Sequence, residues 1–108
     1  MADHRIKIKF NGANTSLETT PLPAMNVKQT VNYFSDEGEV LILFPDISPF
    51  RTDNEKGTFV TGGEDLELKQ ATPLSGVPCR CFVRPPGQKQ FKGWDVNTPL
   101  AGGNHVVK

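Results

Sequence analysis

The residues whose types and spacing carry the most chemistry are Cys79 and Cys81, separated by Arg80. On an extended strand, alternate side chains point to one face, about 6.5–7 Å apart along the chain. A disulfide needs its Cβ atoms about 3.8 Å apart, so an unstrained bridge within this pair is not expected. Two thiolates on one face suit a soft ion such as Cu(I) or Zn(II), with His105 as the candidate third ligand. The neighbours favour another use. Val77 and Val83 share the parity of the two cysteines, and a free cysteine in such company behaves as a small buried hydrophobe. Apolar burial also raises a thiol's pKa and makes it inert. Core packing is therefore preferred, no cofactor is expected, and a metal-binding or redox role for Cys79 and Cys81 is the alternative.

Other reactive constellations are thin. His4 and His105 stand near opposite chain ends, and His105 reads as part of an edge strand. The chain has no G-x-S-x-G elbow, phosphate loop, dinucleotide fingerprint or H-E-x-x-H pair. Asp36-Glu37 and Glu64-Asp65 sit in a turn and at a strand start, where no apolar pocket is implied to raise a carboxyl pKa. Gly62-Gly63 and Gly102-Gly103 read as turns. An enzyme is not expected.

Binding has more support. Arg80 and Arg84 flank Phe82 on the outward parity of one strand, and Phe91 and Trp94 follow among lysines. A solvent-facing row of arginines and aromatics fits a protein or peptide interface. Against this, Phe82 and Trp94 can fill the space between strand and loop under the arginine stems, and single exposed aromatics need no function. The partner-binding candidates are Arg80, Phe82, Arg84, Phe91 and Trp94, and the partner is an unknown protein or small ligand.

Charge and hydropathy exclude two partner classes. Twelve basic residues balance twelve acidic ones, and the densest basic run, Arg5–Lys9, alternates with isoleucine. That is the solvent face of a strand rather than a phosphate track, so nucleic acid is not expected. No apolar run approaches the roughly 20 residues of a membrane span. The start, MADHRIKIKF, lacks a secretory signal pattern, which points to a cytoplasmic protein, or a periplasmic one if a signal peptide has been removed. Two cysteines are too few for a disulfide scaffold.

These residues must be positioned by strands. Ile6, Ile8 and Phe10 alternate with Lys7 and Lys9, the pattern of a half-buried strand. Residues 13–26 carry two prolines and no clear period, and read as an irregular connection. Val27, Val31 and Tyr33 share one parity, and Ser35–Gly38 is a turn. Val40–Phe44 is continuously apolar, as in a central strand covered on both faces. Further strands are expected at Phe59–Val60, at Glu64–Lys69 with Leu66 and Leu68 inward, at Val77–Val83, and more weakly at Phe91–Trp94 and His105–Lys108. No segment sustains a helical period. Seven or eight short strands predict a single domain, 1–108, built as an all-β antiparallel two-sheet sandwich. Lys7, Lys9 and the prolines at 85, 86 and 99 discourage indiscriminate edge pairing, leaving a monomer or an edge-strand dimer.

The arrangement "strand, S-x-x-G turn, apolar strand, F-x-x-x-S-P-F" resembles that of small uncharacterised bacterial domains with a cupredoxin-like or immunoglobulin-like Greek-key sandwich. The matching residues are Ser35, Gly38, Val40, Ile42, Phe44, Ser48, Pro49, Phe50, Phe59 and Val83, about half the chain. The resemblance implies the scaffold and is nearly silent on function. Copper-binding cupredoxins use two His, one Cys and usually a Met, with His and Met shortly after the Cys. Here Cys81 is followed by FVRPPGQKQFKGW, and the only internal methionine is Met25. The family's copper ligand set is therefore missing, and a non-catalytic binding or interaction module is the expected function.

Overall fold

The computed structural model describes residues 2–12, 15–18, 22–93 and 104–108. They form β1 (His4–Phe10), β2 (Thr15–Leu17), β3 (Thr30–Phe34), β4 (Glu39–Phe44), β5 (Thr58–Thr61), β6 (Leu66–Glu67), β7 (Val77–Pro78), β8 (Arg80–Arg84) and β9 (Asn104–His105). One sheet has the order β2-β1-β3-β6, a second β5-β4-β8, and β7 and β9 form a separate pair. β1 and β2 face β8, and β3 faces β4. The result is the expected all-β, two-sheet arrangement, because each sheet hides its apolar face against the other.

In β1 the alternation is decisive. Ile6 and Ile8 are buried while Arg5 and Lys9 are exposed. β1 lies between β2, antiparallel to it, and β3, parallel to it. Both points correct the sequence reading. Residues 15–17 are not irregular: Thr15 and Leu17 are buried on one side of a strand too short to show a period. That strand pairs with one edge of β1 before the chain crosses to the other edge, which makes the β1–β3 pairing parallel. Val27 belongs to no strand, because Lys28 takes φ 78° and Gln29 donates back to Asn26 in a turn.

The apolar run 40–44 is central in its sheet, as expected. Only its inner face is fully buried: Val40, Ile42 and Phe44 point inward, and Leu41 and Leu43 are half-buried on the outer face. The expectation of two covered faces is corrected, since no layer of described elements packs on that side. Beyond Phe44, the Ser48-Pro49-Phe50 corner is fully enclosed. Ser48 Oγ accepts from Phe50 N, and the Pro49 carbonyl accepts from Lys69 N and Gln70 N. The corner thus ties the second sheet to the strand end of the first and drives Phe50 into the core.

The stretch 77–83 is also not one strand. Val77–Pro78 pairs with β9 and Arg80–Arg84 pairs with β4, leaving Cys79 at the step between. Val77, Cys79, Cys81 and Val83 nevertheless all point into the core.

Thr58, at the start of β5, is buried with its Oγ1 lacking any hydrogen-bond partner among the described residues. A buried hydroxyl without a partner costs about 1–3 kcal/mol. Thr58→Val keeps the shape and the β-branch, so it is expected to stabilise the protein by about 1 kcal/mol. Thermal unfolding checks this, with a rise of roughly 4–8 °C in Tm.

Candidate functional site

The sequence offered two sets of residues, and the structure separates them. Cys79, Cys81 and His105 meet inside the sandwich. Arg80, Phe82, Arg84 and Phe91 lie outside it. Trp94 falls outside the described residues.

The interior set is closed. Cys79, Cys81, His105 and Tyr33 each have 0% exposure. His105 is not on an exposed edge: β9 pairs with β7, and Val107 beyond it bridges to Met25. These ties press the imidazole among the Tyr33, Phe44 and Phe50 rings, with centroids 5.7–6.3 Å away. The Tyr33 hydroxyl lies 2.5 Å from His105 Nε2. Burial, followed by the nearby Cys79 and Cys81, pushes the Tyr33 phenol well above its usual pKa. The phenol therefore stays protonated and shares a hydrogen bond with Nε2, whose direction is set by the imidazole tautomer. Nδ1 itself has no hydrogen-bond partner among the described residues.

The two thiols share a hydrogen bond and split apart in acidity. The bond from Cys81 holds Cys79 down to about 6, against burial, with a smaller contribution from His105. The same bond, together with burial, pushes Cys81 well up. The cluster can share protons internally, but no described route leads a substrate to it. Among the described residues, no group of three or more His, Cys, Asp or Glu side chains is arranged to hold a metal ion.

These shifts set a pH dependence. Cys79 is depressed from 9.0 to about 6, so its contribution to stability is complete above pH 9 and is lost as pH falls through 6. Cys81 and Tyr33 are raised above 9.0 and 10.0. Their contributions are complete below those values and vanish as pH rises past them. Stability is expected to climb between pH 6 and 9 and to fall above 9. Urea midpoints across this range check the profile, and Cys79→Ser should flatten the climb.

The exterior set is an open sheet face. In β8, Arg80, Phe82 and Arg84 are half-buried and point outward, as their parity predicts. Strand register extends this row across the sheet. Leu41 stands between Thr61 and Phe82, and Leu43 between Phe59 and Arg80. Phe59 is 54% exposed, and Leu74, in a separate loop, is the other large exposed hydrophobic side chain among the described residues. Phe59, Leu41 and Leu43 were missed as interface residues. Phe59 and Val60 alternate visibly in sequence, but only the β4–β5 register brings Phe59 beside Leu43.

At one end this face runs into an open cleft of about 750 Å³ between the sheets, lined by Phe34, Gly38, Glu39, Arg84, Pro86 and Phe91 among others. Arg84 pairs with Glu39, and its guanidinium lies 5.1 Å over the Phe91 ring. Gly38, at φ 155°, closes the β3–β4 turn against β8, where a Cβ would overlap the Arg84 carbonyl. Phe91 is half-buried beside Arg84. The cleft has one paired cation and one paired anion, so it offers no net charge to a ligand.

Among the described residues no helix is long and apolar enough to cross a membrane. Comparison of the chain with protein-family models, with curated proteins and with solved structures gives no match.

Proposed function

We propose that this chain is a non-catalytic interaction module that recognises a protein or peptide through the outer face of the β5-β4-β8 sheet. One observation carries the reading: Phe59, more than half exposed, stands in register beside Leu43 on a face that also presents Leu41 and Phe82. Exposed apolar surface edged by arginines is the composition of protein interfaces. Arg80 and Arg84 supply that edge, with Phe91 extending it under Arg84. The scaffold we take to be cupredoxin-like without copper, a reading supported by the two facing sheets and the buried Ser48-Pro49-Phe50 corner.

A photo-crosslinking side chain at position 59 tests the proposal against the same side chain at 74, which is more exposed but isolated. A discrete adduct at 59, absent at 74 and suppressed by Leu43→Glu, is the expected result. Equal labelling at both positions, or none at 59, contradicts the reading.

A second reading, soft-metal binding or redox chemistry, draws on the meeting of Cys79, Cys81 and His105 in the core. Tight stoichiometric uptake of Zn(II) or Cu(I) by the folded protein would support it.

A further inference from the structure

The chain has seven asparagines, and only Asn11 precedes a glycine. An asparagine amide is open to attack by the backbone nitrogen of the next residue, which closes a cyclic imide. The attack is favoured by a following residue with no side chain to crowd the ring, by a nitrogen not engaged in a hydrogen bond, and by room for the backbone to turn. Asn11 and Gly12 meet all of these conditions. Both are exposed and lie beyond the last residue of β1. Gly12 N has no hydrogen-bond partner among the described residues. Gly12 takes φ 97°, and nothing stands within 4 Å of where its Cβ would be, so the backbone there is permissive and unobstructed.

The other described asparagines each fail a condition. Asn26 is exposed, but the nitrogen that would attack, Val27 N, donates to the Lys108 carbonyl at 3.1 Å, and valine is branched at Cβ. Asn54 is exposed too, but Glu55 N donates to Asp53 Oδ1 at 3.2 Å. Asn32 and Asn104 lie within β3 and β9, where the strand ladder fixes the backbone, and the Asn32 amide donates to Asp65. The fold therefore ties down the attacking segment at these positions and leaves it untied at Gly12.

We propose that Asn11 is a modification site of this protein, converted by intramolecular deamidation with water as the co-reactant. A base in the solvent takes the Gly12 N proton, and the nitrogen attacks Asn11 Cγ. The N–Cγ bond forms, the Cγ–Nδ2 bond breaks, and Nδ2 leaves as ammonia with a proton from water. Water then opens the imide at either carbonyl. Opening at Cγ gives aspartate. Opening at the main-chain carbonyl gives isoaspartate, with the chain now running through Cγ. Either product exchanges a neutral amide for a carboxylate. The hollow around Asn11 is lined by Lys7, Lys9 and Glu37 among others, so the new charge arrives beside two cations and one anion. Position 11 lies outside the β1–β2 ladder, whose loop-end pair is Phe10 with Thr15. The methylene that isoaspartate adds to the backbone therefore lengthens the connection and leaves the register intact. This chemistry is independent of the sheet-face reading.

Peptide mapping by mass spectrometry of the full, folded chain, sampled over days at mildly alkaline pH, tests it. Conversion at residue 11 is expected to run at least about tenfold ahead of conversion at 26 or 54, a barrier lower by about 1.4 kcal/mol. Labelling by an isoaspartyl methyltransferase should rise in step with it. Gly12→Ala should slow conversion about tenfold, because its methyl group crowds ring closure. In urea the lead of residue 11 should narrow, since Val27 N and Glu55 N then lose their partners. Residue 11 intact over that period, or converting no faster than 26 and 54, overturns the proposal. So does a Gly12→Ala chain that converts at the parent rate. Aspartate formed without isoaspartate means direct hydrolysis of the side-chain amide and overturns the imide route. A lead unchanged in urea overturns the protection ascribed to the fold.

Discussion

Replacing Phe44 with alanine is expected to destabilise the protein by about 3–5 kcal/mol, the range for deleting a fully buried aromatic ring. Phe44 is 0% exposed and ends the central strand of its sheet. Its ring packs edge-on to Phe50 at 5.7 Å and against His105 at the same separation. The backbone around it is held by β5 on one side, where Phe44 pairs with Thr58, and by the Ser48-Pro49-Phe50 corner beyond. Such a site collapses poorly, so most of the cavity remains and the cost lies toward the upper end. A small domain has only about 5–15 kcal/mol of total stability. Thermal unfolding should therefore show a fall of roughly 15–30 °C in Tm. A fall of only a few degrees would show that Phe50 moves in to fill the gap.

The second large effect is expected at His105. Alanine there opens a cavity among the Tyr33, Phe44 and Phe50 rings and leaves the buried Tyr33 hydroxyl without its hydrogen-bond partner. Together the two losses amount to about 3–4 kcal/mol. Tyr33→Phe removes the hydroxyl alone and leaves Nε2 unsatisfied, at about 1–2 kcal/mol. The two residues share one hydrogen bond, so the double variant should cost less than the sum of the singles, by about 1 kcal/mol. Denaturant unfolding of the four proteins measures this coupling. Strict additivity would mean that the Tyr33–His105 bond contributes nothing to the fold.

These two residues also show what was legible in the sequence. The inward parity of Ile6, Ile8, Val31, Tyr33, Val40, Ile42 and Phe44 is local, and period-two alternation reports it directly. So does the turn at Ser35–Gly38. Pairing is not local. That β1 runs parallel to β3, or that Val77–Pro78 leaves the strand containing Cys81 to join β9, depends on contacts between distant segments, and no pattern within either segment records them. His105 is the sharpest case. Between Asn104 and Val106 it reads as a solvent-facing end, yet it bonds to Tyr33, 72 positions earlier. The candidate site divided the same way. The outward row Arg80, Phe82, Arg84 followed from parity, while Phe59 joined it only through register with Leu43.

The central claim is that the reactive side chains of this protein build its scaffold and leave recognition to the sheet face. The rate at which a thiol reagent modifies Cys79 and Cys81 in the folded, metal-free protein tests this most directly. Both thiols have 0% exposure, so modification should require global opening. It should be slow without denaturant, accelerate as urea is added, and consume both thiols together. Rapid modification of Cys79 alone under native conditions, or its protection by Zn(II), would contradict the claim and place the chemistry of this protein in its interior.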